Sequence, residues 1–500
     1  MPILRAFLAA FILLALASPA PAQSNFDGAS RGGVGRGNMG GGGGFRGGPG
    51  GGLGLVPGLL LPAIAAGARA AAQQGDDEPP PRHRRPRPPH KKVPPPRLVH
   101  QSAPETPIHP KRRQEAPRAK TASTRAFLPP PAGETRFLPN EVLVAFLGGA
   151  SEKQIAALAR RRKLERVQTR ELTLIGVRIH RFRFAGDRTV PGVIAELAKE
   201  PNAALAEPHY LFALQGEAAK PDALPGKSAE PAPASSADAL LHLSEAHKIA
   251  TGRGVRIAVI DSLIDASHAE IEGSVAARFD ALDEANAQPQ GHGTGMASAI
   301  AGHRQIEGAA PEARILAARA FDGTGAPAVA LNILAGIDWA AAQKAQIINM
   351  SFAGPHDPLL SQMLAAADGK KIILIAAAGN EGPQSHFLYP AADPHVVAVS
   401  AVDAREQVYA MASRVPYVAV FAPGVDILVA APRGAYDLST GTSVASAEIS
   451  GIAALLLEKR PGLDGAALRS LLRASARALP GASGVGPGVA DAQAAVERKD

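Results

Sequence analysis

Six nearly continuous apolar runs in the second half of the chain constrain its fold more than anything else in the sequence. They are RIAVIDS from Arg256, RILAARA from Arg314, QIINMSF from Gln346, KIILIAAAGN from Lys371, VVAVSAV from Val396 and VAVFAPG from Val418. Strands with one face in water alternate apolar and polar residues, whereas runs without alternation mark strands covered on both faces. Between them, VALNILAGIDWAAAQKA and SVASAEISGIAALLLEKR have the length and apolar content of buried helices. This alternation from about Ala239 to the C-terminus predicts an α/β domain with a doubly wound parallel sheet over residues 239–500. In such a sheet, active sites lie at the carboxyl ends of the strands.

The residues before that domain read differently. MPILRAFLAAFILLALASPAPAQ carries an early Arg5, an apolar stretch from Ala6 to Ala17 and a small-residue exit at Ala20-Pro21-Ala22. These are the parts of a secretory signal peptide over 1–22, and export to the periplasm or the extracellular space is the expectation. Residues 23–135 are expected to be disordered, first Gly-rich and then Pro/Arg-rich. A second membrane segment at 53–74 is argued against by Pro57, Gly58, Pro62, Gly67 and Arg69. The formal net charge of +8 sits in this tail, where Arg82 to Arg125 holds thirteen Lys and Arg against two acids. The high pI therefore describes a tail and gives no reason to expect a nucleic-acid partner. Its functional reading is adhesion to an anionic envelope surface, and its bland reading a solvated spacer. His83, His90, His100 and His109 within it lack ligand spacing and are read as solvated.

Residues 136–215 give strand, helix, strands, helix, strand, which predicts a small α+β unit of the ferredoxin-like kind. Residues 216–238 read as a Pro/Ala/Ser linker. The chain has no cysteine, which excludes disulfides and thiolate nucleophiles.

Three reactive side chains stand at the right places for chemistry. Asp261 closes the first apolar run, His292 lies in GHGTGMAS, and Ser443 opens the long helical stretch. A serine hydroxyl becomes a nucleophile when a base takes its proton, and the imidazole needs a carboxylate to fix its tautomer. Taken singly, Asp261 could be a turn residue, His292 a packed loop histidine and Ser443 a helix cap.

TGRGVRIAVIDS, GHGTGMAS and GTSVASAEISG together resemble the three sequence blocks of the subtilase family of serine proteases. The resemblance implies a subtilisin-like three-layer fold and a secreted serine endopeptidase with Asp261, His292 and Ser443 as its triad. AAAGNEG resembles the block that supplies the oxyanion-hole asparagine, which would be Asn380, acting with the Ser443 backbone N–H. INMSFAG resembles the substrate-binding strand, which would comprise Ser351, Phe352, Ala353 and Gly354 and pair with a polypeptide substrate. PNEVLVAF and EPHYLFAL resemble the ends of a subtilase propeptide, implying a self-processing zymogen inhibited by its own N-terminal unit and cut between about Leu211 and Ser236. No cofactor is expected in the chemistry, and a structural calcium, common in the family, has no assignable ligands. Departures from the family pattern are Leu263, Gly295, Val444, Ala447 and Glu448. Leu263 and Glu448 motivate one alternative, an inactive peptide-binding relative; the basic tail motivates another, an envelope scaffold.

Overall fold

The computed structural model describes residues 125–148, 150–215, 237–479 and 488–499. The expected signal peptide, nearly all of the tail and most of the 216–238 linker lie outside the described residues, as does the possible membrane segment at 53–74. Among the described residues no helix is long and apolar enough to cross a membrane.

The N-terminal unit comprises β1 (Ala126–Phe127), β2 (Phe137–Phe146), α1 (Glu152–Arg161), β3 (Leu164–Leu172), β4 (Val177–Phe184), α2 (Val190–Leu197) and β5 (Ala203–Leu214). Its sheet runs β1-β5-β2-β4-β3. The first strand of the unit thus lies about ten residues before the expected boundary at 136. β1 is a two-residue strand paired parallel to β5, and Arg125 ahead of it bonds the carbonyls of Ala198, Glu200 and Ala203. α1 begins at a reciprocal cap between Ser151 and Gln154 and buries Ile155, Leu158 and Ala159. One sheet face packs on the two helices through Val142, Val144, Phe182 and Val193.

A buried ion cluster holds the middle of this sheet. Glu141 on β2 is 2% exposed and accepts from Arg181, Arg183 and His209 at 2.6 to 3.2 Å. Burial alone would raise the Glu141 pKa, but the hydrogen bonds from His209 and Arg181 bring it down to about 2. Its ordinary value is 4.5, so its stabilising contribution is complete above that and is lost as the pH falls towards 2. Glu141→Gln is expected to lower the melting temperature of the N-terminal unit at about pH 7 far more than at about pH 3, as read by thermal melts at both.

The larger unit begins with α3 (Ala237–Leu241) and α4 (Leu243–His247). It continues through β6 (Arg256–Asp261), β7 (Val275–Asp280), α5 (Gly291–Ala301), β8 (Arg314–Arg319), β9 (Ala328–Val329) and α6 (Ala330–Ala342). Next come β10 (Ile347–Met350), β11 (Phe352–Ala353), α7 (Pro358–Gly369), β12 (Ile373–Ala377) and β13 (Val396–Val402). The last elements are β14 (Val418–Pro423), β15 (Ile427–Ala431), β16 (Ala435–Ser439), α8 (Thr442–Lys459), α9 (Gly465–Ser475) and α10 (Ala492–Glu497). Seven strands form one sheet in the order β14-β13-β12-β10-β6-β8-β7, with every pairing parallel.

Both sheet faces are covered, which is why these strands carry no alternation. Ile257 and Val259 of β6 point into a core shared with α5, α8 and α9, while Ala258 and Ile260 point into the opposite core with α6 and α7. That second core also takes in Leu143, Leu172, Ile179, Tyr210 and Phe212 of the N-terminal unit. The unit's second sheet face therefore lies on the α6 and α7 layer, and the two units share one apolar interior.

Candidate active site

Asp261 ends β6 and His292 occupies the first turn of α5. His292 Nδ1 lies 2.7 and 2.9 Å from the two carboxylate oxygens of Asp261, which is fully buried. Ser262 N donates to Asp261 Oδ1 at 2.7 Å, fixing the carboxylate from the other side. With Nδ1 donating its proton to Asp261, Nε2 is left as the basic nitrogen. Gly293 has a steric reason to be glycine: a Cβ there would lie 2.5 Å from the Ser262 carbonyl oxygen, so any side chain would push α5 off β6. Leu263, where glycine was the expectation, is not among the residues with positive φ, and its carbonyl accepts Gln290 N at 2.8 Å. A side chain is therefore compatible with this turn.

Ser443 stands in the first turn of α8, fully buried, and its Oγ has no hydrogen-bond partner among the described residues. Asn380 follows β12. Its Oδ1 accepts from Thr442 N and Thr442 Oγ1, both at 3.0 Å. The carbonyl end of the amide is thereby spent on the residue before Ser443, and Nδ2 is the end left to donate. If Asn380 has the expected oxyanion-hole role, replacing it by Ala lowers kcat about 100- to 1000-fold with little change in KM. Steady-state kinetics on a peptide substrate measures the split.

The structure also brings in residues that the sequence reading did not single out. Asn349 in β10 donates to Ser351 Oγ at 3.0 Å and accepts from Ser450 at 3.0 Å, with Ser446 Oγ lying 3.3 Å from its Oδ1. Ser351 and Ser446 both donate to the Ser443 carbonyl, at 3.1 and 2.8 Å. This buried network ties the first turn of α8 to the central sheet. Its signal was present as one amide inside the apolar run IINM and two serines four apart on one helix face.

The departures in α8 are accommodated. Val444 and Ala447 are fully buried, and α8 runs unbroken for 18 residues without a proline. Glu448 is 2% exposed, and burial pushes its carboxyl pKa well up, so the neutral acid is the form that fits there. Gly295 faces β15, where a Cβ would meet Val429 at 3.1 Å. Among the described residues no group of three or more His, Asp or Glu side chains is arranged to hold a metal ion.

The expected substrate strand is occupied by the N-terminal unit. β5 runs between β9 and β11, antiparallel to both, with Phe212 opposite Ala328, Ala213 opposite Ala353 and Leu214 opposite Phe352. Gln215 N donates to the Ser351 carbonyl at 3.0 Å, and its Oε1 accepts Asn380 N at 2.8 Å. Phe212 is 1% exposed and packs edge-on against Phe352. A Cβ on Gly354 would fall 2.4 Å from the Phe212 ring, so this glycine makes the room the ring fills.

Residues 252–494 match the model of the subtilase family, and residues 126–209 match that of the fervidolysin N-terminal prodomain. Subtilisin E of Bacillus subtilis is 36% identical over 256 residues, 49% of this chain and 67% of its own length. Subtilisin of Bacillus pumilus is 36% identical over the same number of residues and is covered over 92% of its length. The chain belongs to the subtilase family. Among solved structures, this subtilase superposes on fervidolysin from Fervidobacterium pennivorans, described as a keratinolytic enzyme related to subtilisin, with a TM-score of 0.61 at 24% identity. The superposition covers 75% of this subtilase and 63% of the fervidolysin chain. It is therefore a subtilisin-like serine peptidase with a prodomain ahead of the peptidase domain.

Proposed function

We propose that the protein is an exported, self-processing serine endopeptidase, in which Ser443 attacks a peptide carbonyl, His292 carries the proton and Asp261 orients and stabilises the imidazole. Ser443 Oγ gives its proton to His292 Nε2 as it bonds to the carbonyl carbon. The resulting oxyanion takes hydrogen bonds from Asn380 Nδ2 and Ser443 N. The imidazolium returns the proton to the leaving amine, and water releases the acyl group by the same route.

The observation that carries this reading is the course of β5. It lies on the substrate strand as an extended peptide and brings Gln215 level with Ser351 and Asn380, beside the nucleophile helix. We take Gln215–Gly216, the bond that follows this stretch, as the one cut; it falls inside the processing window expected from the sequence. After that cut β5 remains as a product-like strand, and the prodomain acts as the enzyme's own inhibitor. On this reading the substrates are polypeptides with a bulky aromatic residue fourth before the cleaved bond, where Phe212 fills the space left by Gly354, and with Gln accepted immediately before it.

A fluorophosphonate probe tests the chemistry. The protein freed of its prodomain is expected to carry one adduct, on Ser443, and His292→Ala to carry none. Labelling elsewhere, or equal labelling of both, would remove the assignment.

A further inference from the structure

Upstream of the residues that reach the catalytic centre, β5 carries an ionisable group that the peptidase reaction does not use. Glu207 is fully buried, no side chain among the described residues donates to it, and the Leu359 N–H in the first turn of α7 is the backbone group that favours its charged form. Facing it is Asp357 of the peptidase domain, the N-cap of α7, which is 1% exposed. Asp357 Oδ1 accepts Leu360 N at 2.9 Å, while Oδ2 has no donor. The two carboxyl groups face each other across the boundary between prodomain and peptidase domain, close enough for one proton to bridge them.

Two ionised carboxylates are both acceptors and cannot bond to one another. A single proton resolves this: held on Glu207, it donates to Asp357 Oδ2 and gives a partner to an otherwise orphaned oxygen. The N-terminus of α7 favours one negative charge beside it, which Asp357 supplies, and a second buried charge has nothing to balance it. Neither carboxyl has a basic partner among the described residues. The other ionisable groups nearby on β5 are Tyr210, which stays protonated, and His209. That histidine bonds Glu141, itself held by Arg181 and Arg183, and its Nε2 accepts Leu331 N of α6. Glu134, ahead of β2, is tied to Arg136.

We propose that the Glu207–Asp357 pair is a proton-operated latch, which holds the prodomain in the cleft at acidic pH and releases it as the pH rises. This rests on reading β5 as the bound inhibitory strand. Apart, both carboxyls face water at their ordinary values of 4.5 and 3.8. Docked, burial first and the facing carboxyl second push Glu207 well above that range, and burial raises Asp357 as well. At this pair the docked state therefore binds one more proton than the separated domains over a window that opens near 4.5 and extends upward. Docking strength is fully present below that window and declines as the pH climbs through it, by up to about tenfold per pH unit for one proton. His209 acts in the opposite sense at the acid end: burial depresses its pKa below 6.5, so the docked ring, which accepts from Leu331 in its neutral form, opposes the pair only below that value.

The test uses the full chain with Glu207→Gln, whose amide donates to Asp357 without titrating. After self-cleavage, release of the prodomain is followed from about pH 5 to about pH 9 by the onset of peptidase activity and by the mass of the complex. Release from the wild type is expected to rise at least tenfold across this range, while Glu207→Gln releases slowly and at a nearly constant rate. Asp357→Asn, which keeps the Oδ1 cap, is expected to flatten the profile too and serves if the first variant folds poorly. Equal slopes in wild type and variants, or a flat wild type, would overturn the latch. A version without catalysis separates this from the protease reading. In a Ser443→Ala chain the single tryptophan, Trp339, stacks on Phe279 beside Asp338, which binds Thr173 and Leu174 of the prodomain. Its fluorescence should report a one-proton undocking transition that Glu207→Gln abolishes. Should that transition be seen in a chain whose wild type never cuts itself, the self-processing reading fails and the latch stands.

Discussion

Ser443→Ala is expected to be folded, uncut and inert. The loss should be on the order of a millionfold in kcat, the size known for removing the nucleophile of a subtilisin-type triad. A residual rate of about 1000- to 10,000-fold over water would remain from the oxyanion donors and substrate binding. Stability should be nearly unchanged, for a specific reason. Ser443 Oγ makes no hydrogen bond among the described residues, so its removal orphans no buried group. The hydrogen bonds that hold this turn of α8 go to the Ser443 backbone carbonyl, which alanine retains. Cleavage of a fluorogenic peptide, together with a thermal melt, checks both halves of this expectation.

Asp261→Asn tests the next member. Asparagine keeps an oxygen for Ser262 N but can present an N–H to His292 Nδ1, and the ring then turns its proton to Nε2, where the base is needed. The expected loss is about 10,000-fold in kcat with KM close to the wild-type value. A loss below about tenfold would mean that His292 is oriented by something other than Asp261.

The sequence carried the peptidase fold because its strands are buried on both faces, and RIAVID or IINM without alternation has few other readings. Asp261, His292 and Ser443 were legible because each falls at the carboxyl end of a strand or the start of a helix, where a doubly wound sheet gathers side chains. Asn380 was legible only through the block around it; alone it is a turn asparagine, and its orientation depends on Thr442, 62 positions away. What escaped was tertiary. The two-residue β1 has no periodicity to detect, and its pairing with β5 spans the whole prodomain. Glu207 sits in EPHY, at the head of the segment read as the last prodomain strand, and nothing local shows that it is fully buried, which it is because β5 is covered by a second domain. Asp357 is the N-cap of α7, and no local pattern shows that another carboxyl faces it. Leu263 and Glu448 looked like obstacles to activity. The first occupies a turn without positive φ, and the second is accommodated as a buried neutral acid.

The most direct test of a self-processing protease is the intact mass of the wild-type chain and of Ser443→Ala, prepared side by side. The wild type should divide after Gln215 into a prodomain fragment ending in that residue and a peptidase fragment beginning at Gly216, while Ser443→Ala stays in one piece. Two uncut chains, or two chains cut alike, would contradict the assignment of Ser443 as the nucleophile that frees the enzyme from its own prodomain.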